Sequence, residues 1–262
     1  MTLMSRACND LHRYQTVEWS AKVASIHSQL LPRSTHFLLP NLPDIISPEQ
    51  EQLYYDMNQP KTRIQTIAAC LHNHDSLLKC VAASSANNAK NVDKFLIVGG
   101  NNKGSGTMST VEAARIIQDV TDTELWSVAN PNDKMSPDRV LEKLEAGIRG
   151  IITQPLLSAH SLEVLESYPR YQGTVYIAGV ALPRSTKGLL FWLELLGQPD
   201  LIEDPLFRHH LEHFSSSSQK SSLSWAEDEV GDLARAATID GFHYMPMNNI
   251  DDLLSLFRNQ QL

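Results

Sequence analysis

Short apolar runs alternate along this chain with longer stretches of helical spacing, and that alternation predicts a parallel sheet joined by right-handed crossover helices. Near the start, Thr16 to Leu31 places Val17, Trp19, Ala21, Val23, Ala24, Ile26 and Leu30 at roughly helical intervals, and Pro32 stops the pattern. A short strand is predicted at His36 to Leu39, followed by the punctuating Pro40-Asn41-Leu42-Pro43 and an acidic helical patch near Pro48 to Asp56. From there the cycle is regular. Strands are predicted at Ile64 to Leu71, Lys94 to Val98, Glu124 to Ala129, Gly150 to Thr153, Thr174 to Val180 and Thr238 to Tyr244. Helices are predicted at Leu77 to Asn88, Ser109 to Val120, Pro137 to Ala146, Ser161 to Tyr168, Thr186 to Leu196 and Ile250 to Phe257.

This reading yields seven strands, one short of a closed (β/α)8 TIM-type barrel. The expected fold class is therefore α/β, a barrel of that type lacking a regular first strand. Residues 1–262 form a single domain in this reading, with 1–15 an irregular lead-in and 215–224 a flexible serine-rich loop. No internal repeat is visible.

Composition narrows the function classes. A formal charge of −8 leaves no basic footprint for nucleic acid or an anionic membrane, so an anionic ligand needs local donors. No apolar run is long enough to span a bilayer. The opening residues lack the apolar centre of a secretory signal. Cys8, Cys70 and Cys80 form neither a C-x-x-C pair nor an even framework, which favours structural thiols and a cytoplasmic location.

In a parallel barrel the strands' C-terminal ends share one rim, where ligands bind. Here those ends carry Pro40 and Asn41, Cys70 to Asn73, Gly99 to Asn102, Asn130 to Asn132, Gln154, Leu182 and Pro183, and Pro246 to Asn248. The rim is rich in amides and poor in charge. Amides donate and accept together, so they suit a heterocycle with alternating N–H and C=O groups. Gly99 and Gly100 let the backbone approach a ligand closely, with Asn101, Lys103, Ser105 and Thr107 as donors; a solvated turn is the plain alternative.

These residues resemble a family. K-L-E-A-G-I-R-G-I-I-T-Q, Lys143 to Gln154, is similar to the K-x-x-A-G-A-x-x-x-I-T-Q segment of methylenetetrahydrofolate reductases, flavin-dependent (β/α) barrels. F-L-I-V-G-G-N (Phe95 to Asn101) falls where the family has L-R-G-D, and E-L-W-S-V-A-N-P (Glu124 to Pro131) where a strand ends in A-A-Y-P-E. Y-I-A-G-V-A-L-P (Tyr176 to Pro183) resembles its G-I-L-P segment, and F-H-Y-M-P-M-N (Phe242 to Asn248) its H-F-Y-T-L-N. The resemblance runs in order from Trp19 to Phe257.

It implies FAD at the strand ends, a folate-type substrate and hydride from NAD(P)H, with homo-oligomerisation left open. By position it gives Gln154 and Asn101 as catalytic residues. Gly100, Asn101, Ala129, Asn130, Lys143 and Gln154 become cofactor-binding residues, Lys143 toward the phosphates. The departures are specific. The family's aspartate is Asn101, its arginine Gly99, and its tyrosine and glutamate Asn130 and Asn132. Its H-L-T-C appears as Ile67 to Cys70, and the loop after Asn132 is shorter, without the family's histidine. The acid that ends the family's first strand, in E-F-F-P-P, has no counterpart before Thr16; Asp10 and Glu18 are carboxylates in predicted loop or helix. A non-catalytic or altered-chemistry flavin- or folate-binding barrel is therefore the alternative.

Three further patterns carry chemistry. His209-His210-Leu211-Glu212-His213 matches the H-x-x-E-H spacing of zinc hydrolases but lacks a clear third ligand, so no metal is expected. The glycine-rich turn after Val98 matches neither nucleotide-binding fingerprint. His72, His74 and Asp75 cluster at a strand end, with Asp75 expected to cap the next helix.

Overall fold

Eight parallel strands pair in chain order and the ladder returns from the last to the first. The computed structural model describes residues 14–18, 23, 36–38, 63–86, 92–99, 107–215, 239–246 and 249–259. The elements begin with β1 (Tyr14–Glu18), β2 (His36–Leu38) and β3 (Arg63–Ala68), then a 3-10 turn at Ala69–Leu71 and α1 (His74–Ala86). Next come β4 (Val92–Val98), α2 (Thr110–Gln118), β5 (Glu124–Ala129), α3 (Ser136–Glu145), β6 (Gly150–Pro155), α4 (Ala159–Glu166) and β7 (Val175–Ala181). After α5 (Thr186–Leu196) a 3-10 segment, Pro199–Glu203, leads to α6 (Pro205–Ser215), and the chain ends with β8 (Gly241–Met245) and α7 (Ile250–Asn259). Seven strands run five to seven residues and β2 only three. The architecture is a TIM-like parallel α/β fold.

The expected absence of a first strand is corrected. Tyr14–Glu18, assigned in part to the irregular lead-in and in part to a helix, is strand β1, paired with β2 on one side and β8 on the other. Thr16 and Val17 are β-branched and wholly buried, which favours the extended backbone over a helix. Val23, further along the predicted helix, is helical and buried. The acidic patch near Pro48 to Asp56 and most of the serine-rich loop lie outside the described residues.

Alternation along the strands sorts the core into two layers. Leu38, Ile64, Leu96, Trp126, Ile152 and Ile177, one from each of β2 to β7, fill the barrel interior. The residues between them, such as Phe95, Leu125, Ile151, Tyr176, Phe242 and Tyr244, pack outward against the helices' Val81, Ile117, Val140, Leu165, Leu189 and Leu253. Toward the strands' N-terminal ends, Lys94 pairs with Glu124, which also accepts a 2.6 Å hydrogen bond from Trp126 Nε1. Burial would raise the Glu124 pKa, but hydrogen bonds from Lys94 and Trp126 and the charges of Lys94 and His36 hold it below its ordinary value. Tyr14 and His36 stack at 5.7 Å and both lie against Trp126. This end is a packed plug.

Side-chain caps set several helix starts. Ser109, Ser158 and Ser185 accept from the backbone N–H groups of Glu112, Ser161 and Gly188, opening α2, α4 and α5. At α1 the cap is Asn73, whose Oδ1 accepts from Ser76 N–H at 2.9 Å, rather than the expected Asp75, which sits inside the first turn. Among the described residues no helix is long and apolar enough to cross a membrane.

Candidate functional site

The candidate site is the rim at the strands' C-terminal ends, which the segment Lys143 to Gln154 reaches at its last residues, after a helix end and strand β6. Its A-G step ends α3. Ile148 N–H bonds the Lys143 carbonyl at 3.1 Å and Gly147 N–H the Leu144 carbonyl at 3.0 Å, a Schellman motif with Gly147 at φ 84°. A side chain at Gly147 would also strike Gln118, whose Nε2 lies 1.6 Å from where a Cβ would sit. This part of the motif is explained by helix termination.

The strand that follows contains a bulge. Ile152 faces Ile177 and Pro155 faces Gly179, so Thr153 and Gln154 together oppose Ala178. Thr153 Oγ1 accepts from Gly179 N–H at 2.8 Å, and a Cβ on Gly179 would lie 2.3 Å from the Thr153 carbonyl oxygen. Glycine is required there for β7 to close on the bulge. Gln154 is the one position of β6 that is not buried, and among the described residues no group hydrogen-bonds its amide. The bulge delivers a free donor and acceptor to the rim.

Ala129 and Asn130 end the neighbouring strand, where Ala129 pairs with Thr153. Ala129 packs its methyl into the outer core. Asn130 Oδ1 accepts from Asn132 N at 3.1 Å and Asn132 Nδ2 at 3.0 Å, while Asn130 Nδ2 reaches the Leu196 carbonyl at 3.4 Å. Asn132 is buried and donates to the Pro155 carbonyl at 2.9 Å. These two amides clasp the loop after β5 onto the end of β6. Lys143 Nζ donates to the Val128 carbonyl at 2.6 Å, and burial pulls its pKa down to about 8. It stands behind β5, bonded to the strand.

Gly100 and Asn101, with Asn41 and Asn248, lie outside the described residues. Cys70 and Cys80, both half-buried, form no disulfide among the described residues. His74 and Asp75 form an exposed pair, whereas His72 Nδ1 is buried with no partner among the described residues. Among the described residues no three histidine, cysteine or acidic side chains are grouped to hold a metal. His209 and His213 fall on α6, a helix the periodicity did not predict, and their side chains lie outside the described residues.

Two features escaped the sequence reading. Glu18 is the last residue of β1, opposite Leu38, and so stands at the rim end of a barrel strand instead of in a loop or helix. Two residues earlier, Thr16 Oγ1 contacts His243 Nδ1 at 2.9 Å and donates to the Phe242 carbonyl at 3.3 Å. Burial holds the His243 pKa down at about 3, so the ring is neutral. Phe242 and Tyr244 face the outer core, which turns His243 to the barrel interior; that alternation in F-H-Y-M was the available signal.

No protein-family profile matches the chain, and no curated protein does. Solved structures do. An uncharacterized protein from Clostridium thermocellum that binds two copies of 5-methyl-5,6,7,8-tetrahydrofolic acid superposes with a TM-score of 0.63 at 16% identity, covering 98% of each chain. Phosphonopyruvate hydrolase superposes with a TM-score of 0.56 at 10% identity, covering 97% of this chain and 83% of its own. At these identities the likeness establishes the fold alone.

Proposed function

We propose that the rim at the strands' C-terminal ends binds a reduced folate, with Glu18 and Gln154 as its polar contacts. The observation that carries this reading is the place of Glu18. It ends β1, where the reductases that the chain resembles hold the acid facing their folate. The tetrahydrofolate-binding protein of the same fold supports the substrate class. A pterin edge alternates N–H and C=O groups, so the Gln154 amide matches it in both senses, and a carboxylate at Glu18 accepts from adjacent N–H donors.

A second reading, favoured by the ordered motifs from Phe95 to Asn248, is a flavin-dependent reductase passing a hydride from NAD(P)H through FAD to methylenetetrahydrofolate. Three of the six residues that the resemblance assigns to the flavin are committed elsewhere. Lys143 is spent on the Val128 carbonyl, Asn130 on Asn132, and Ala129 on the core. These three commitments favour a folate-binding barrel without flavin, or one with altered chemistry.

Calorimetric titration of the purified protein with 5-methyltetrahydrofolate, with and without added FAD, tests both. Binding without FAD, weakened about tenfold or more in Glu18→Gln, is expected, because a hydrogen bond to a charged group contributes about 1.5–3 kcal/mol. Absence of folate binding under both conditions sinks the proposal. A yellow protein bleached by NAD(P)H and reoxidised by methylenetetrahydrofolate would instead establish the reductase.

A further inference from the structure

Helix α5 is apolar on both sides. Leu189, Trp192, Leu193 and Leu196 are buried against the barrel, as a crossover helix requires. Its opposite side should be polar if it faced only water. Instead Leu190, Phe191 and Leu195 are 37%, 42% and 49% exposed, and Ile202 of the following 3-10 segment is 40% exposed. Half of the large hydrophobic side chains exposed among the described residues thus lie in this one stretch, which marks it as a contact surface rather than scattered surface apolarity.

The charges on the same side indicate what covers it. Lys187 and Glu194 are seven residues apart, two helical turns, and so share the face of Leu190 and Phe191. Both are exposed, and no described residue forms an ion pair with either. A two-fold axis crossing the helix between Leu190 and Phe191 exchanges these positions. In an antiparallel pair of helices it sets Lys187 of one copy against Glu194 of the other, twice, while each Leu190 meets the other copy's Phe191. A patch with one charge of each sign disposed about an apolar centre is self-complementary, which an isologous interface requires.

We propose that this face of α5 pairs with the same face of a second copy of the chain, giving a two-fold homodimer centred on Leu190 and Phe191. Ile202 and Leu195 extend the contact at its edges. The two aromatic rings at the centre supply most of the affinity, and the charge pairs fix the antiparallel register.

Sedimentation equilibrium of the full chain tests this. The wild-type protein is expected at twice its 29.3 kDa. Phe191→Asp should weaken self-association about a hundredfold by burying charge at the centre, with its thermal unfolding measured alongside to show that it is folded. Lys187→Glu should weaken dimerisation about fivefold through two rim pairs, and the double exchange Lys187→Glu with Glu194→Lys should restore it. A wild-type monomer at every concentration overturns the proposal, as does a dimer unaffected by a folded Phe191→Asp. A dimer weakened by Lys187→Glu but not rescued by the exchange overturns the two-fold register.

Discussion

Gly241→Ala tests whether β1 is seated against β8, on which the position of Glu18 depends. An added Cβ at Gly241 would lie 2.0 Å from the Tyr14 carbonyl oxygen and 2.7 Å from its carbonyl carbon. Real Cβ contacts essentially never fall under 3.0 Å, so backbone must move by about 1 Å. The obstruction is a strand, not the end of a flexible side chain. A shift of that size at Tyr14↔Gly241 takes the first rungs of the β1–β8 ladder out of hydrogen-bonding range. Two lost bonds at about 1 kcal/mol each, with about 1–3 kcal/mol for overpacking, give a loss of about 3–5 kcal/mol. For a chain of this size that lowers the melting temperature by about 10 °C. Circular dichroism melts of the variant should show the drop, and folate affinity should fall with it. Gly188→Ala is the control, because its Cβ would meet Pro183 at 3.5 Å and Ser185 Oγ at 3.8 Å, both ordinary contacts; it should melt at or above the wild-type temperature. A Gly241→Ala protein with the wild-type melting temperature would refute the docking of β1 on β8.

Three further outcomes follow from the same geometry. Gln154→Ala should weaken 5-methyltetrahydrofolate binding up to about tenfold, the worth of a neutral hydrogen bond, with little change in melting; a large stability loss at unchanged affinity would make the residue structural. Asn132→Ala should show the reverse pattern, losing about 1–3 kcal/mol in denaturant titrations, because it removes the donor to the Pro155 carbonyl from a buried site. The pKa of His243 is held at about 3 against 6.5 for the free side chain, so between those values the unfolded chain binds a proton that the native ring does not. Stability contributed by this residue is therefore complete above about pH 6.5 and lost as pH falls toward 3. His243→Gln should flatten that part of the stability profile, and an unchanged profile would contradict the burial of the ring.

The later strands were legible because their outward and inward faces are both apolar, as in F-L-I-V and G-I-I-T, and sheets buried on both sides read as continuous hydrophobic runs. Strand β1 was not. Y-Q-T-V-E places Tyr14, Gln15 and Thr16 in buried or half-buried positions, so its polar content hid the strand while the helical spacing from Trp19 onward ran over it. The 3-10 turn at Ala69–Leu71 shortened the predicted third strand for a similar reason, since Ala and Leu serve either conformation. At the site, Gln154 stood out because a polar residue ends an apolar strand. Asn130 and Asn132 follow the end of β5, as their polar run after an apolar strand suggests, but their use as a clasp depends on a carbonyl at Pro155 that only the closed sheet brings within reach. Glu18 was lost with its strand.

The closure of the barrel has a consequence for how the chain is made. Thr16 and His243 touch across 227 residues of sequence, so the β1–β8 seam is among the most non-local contacts in the molecule, and the loop it closes is nearly the whole chain. Of the barrel's strands, β1 is synthesised first and its second neighbour, β8, last. Until then it presents an unpaired edge, the kind of surface that chaperones cover and that recruits other strands. Any nascent or truncated chain ending before Gly241 would carry that open edge, and the finished position of Glu18 would be reached only when the final strand docks.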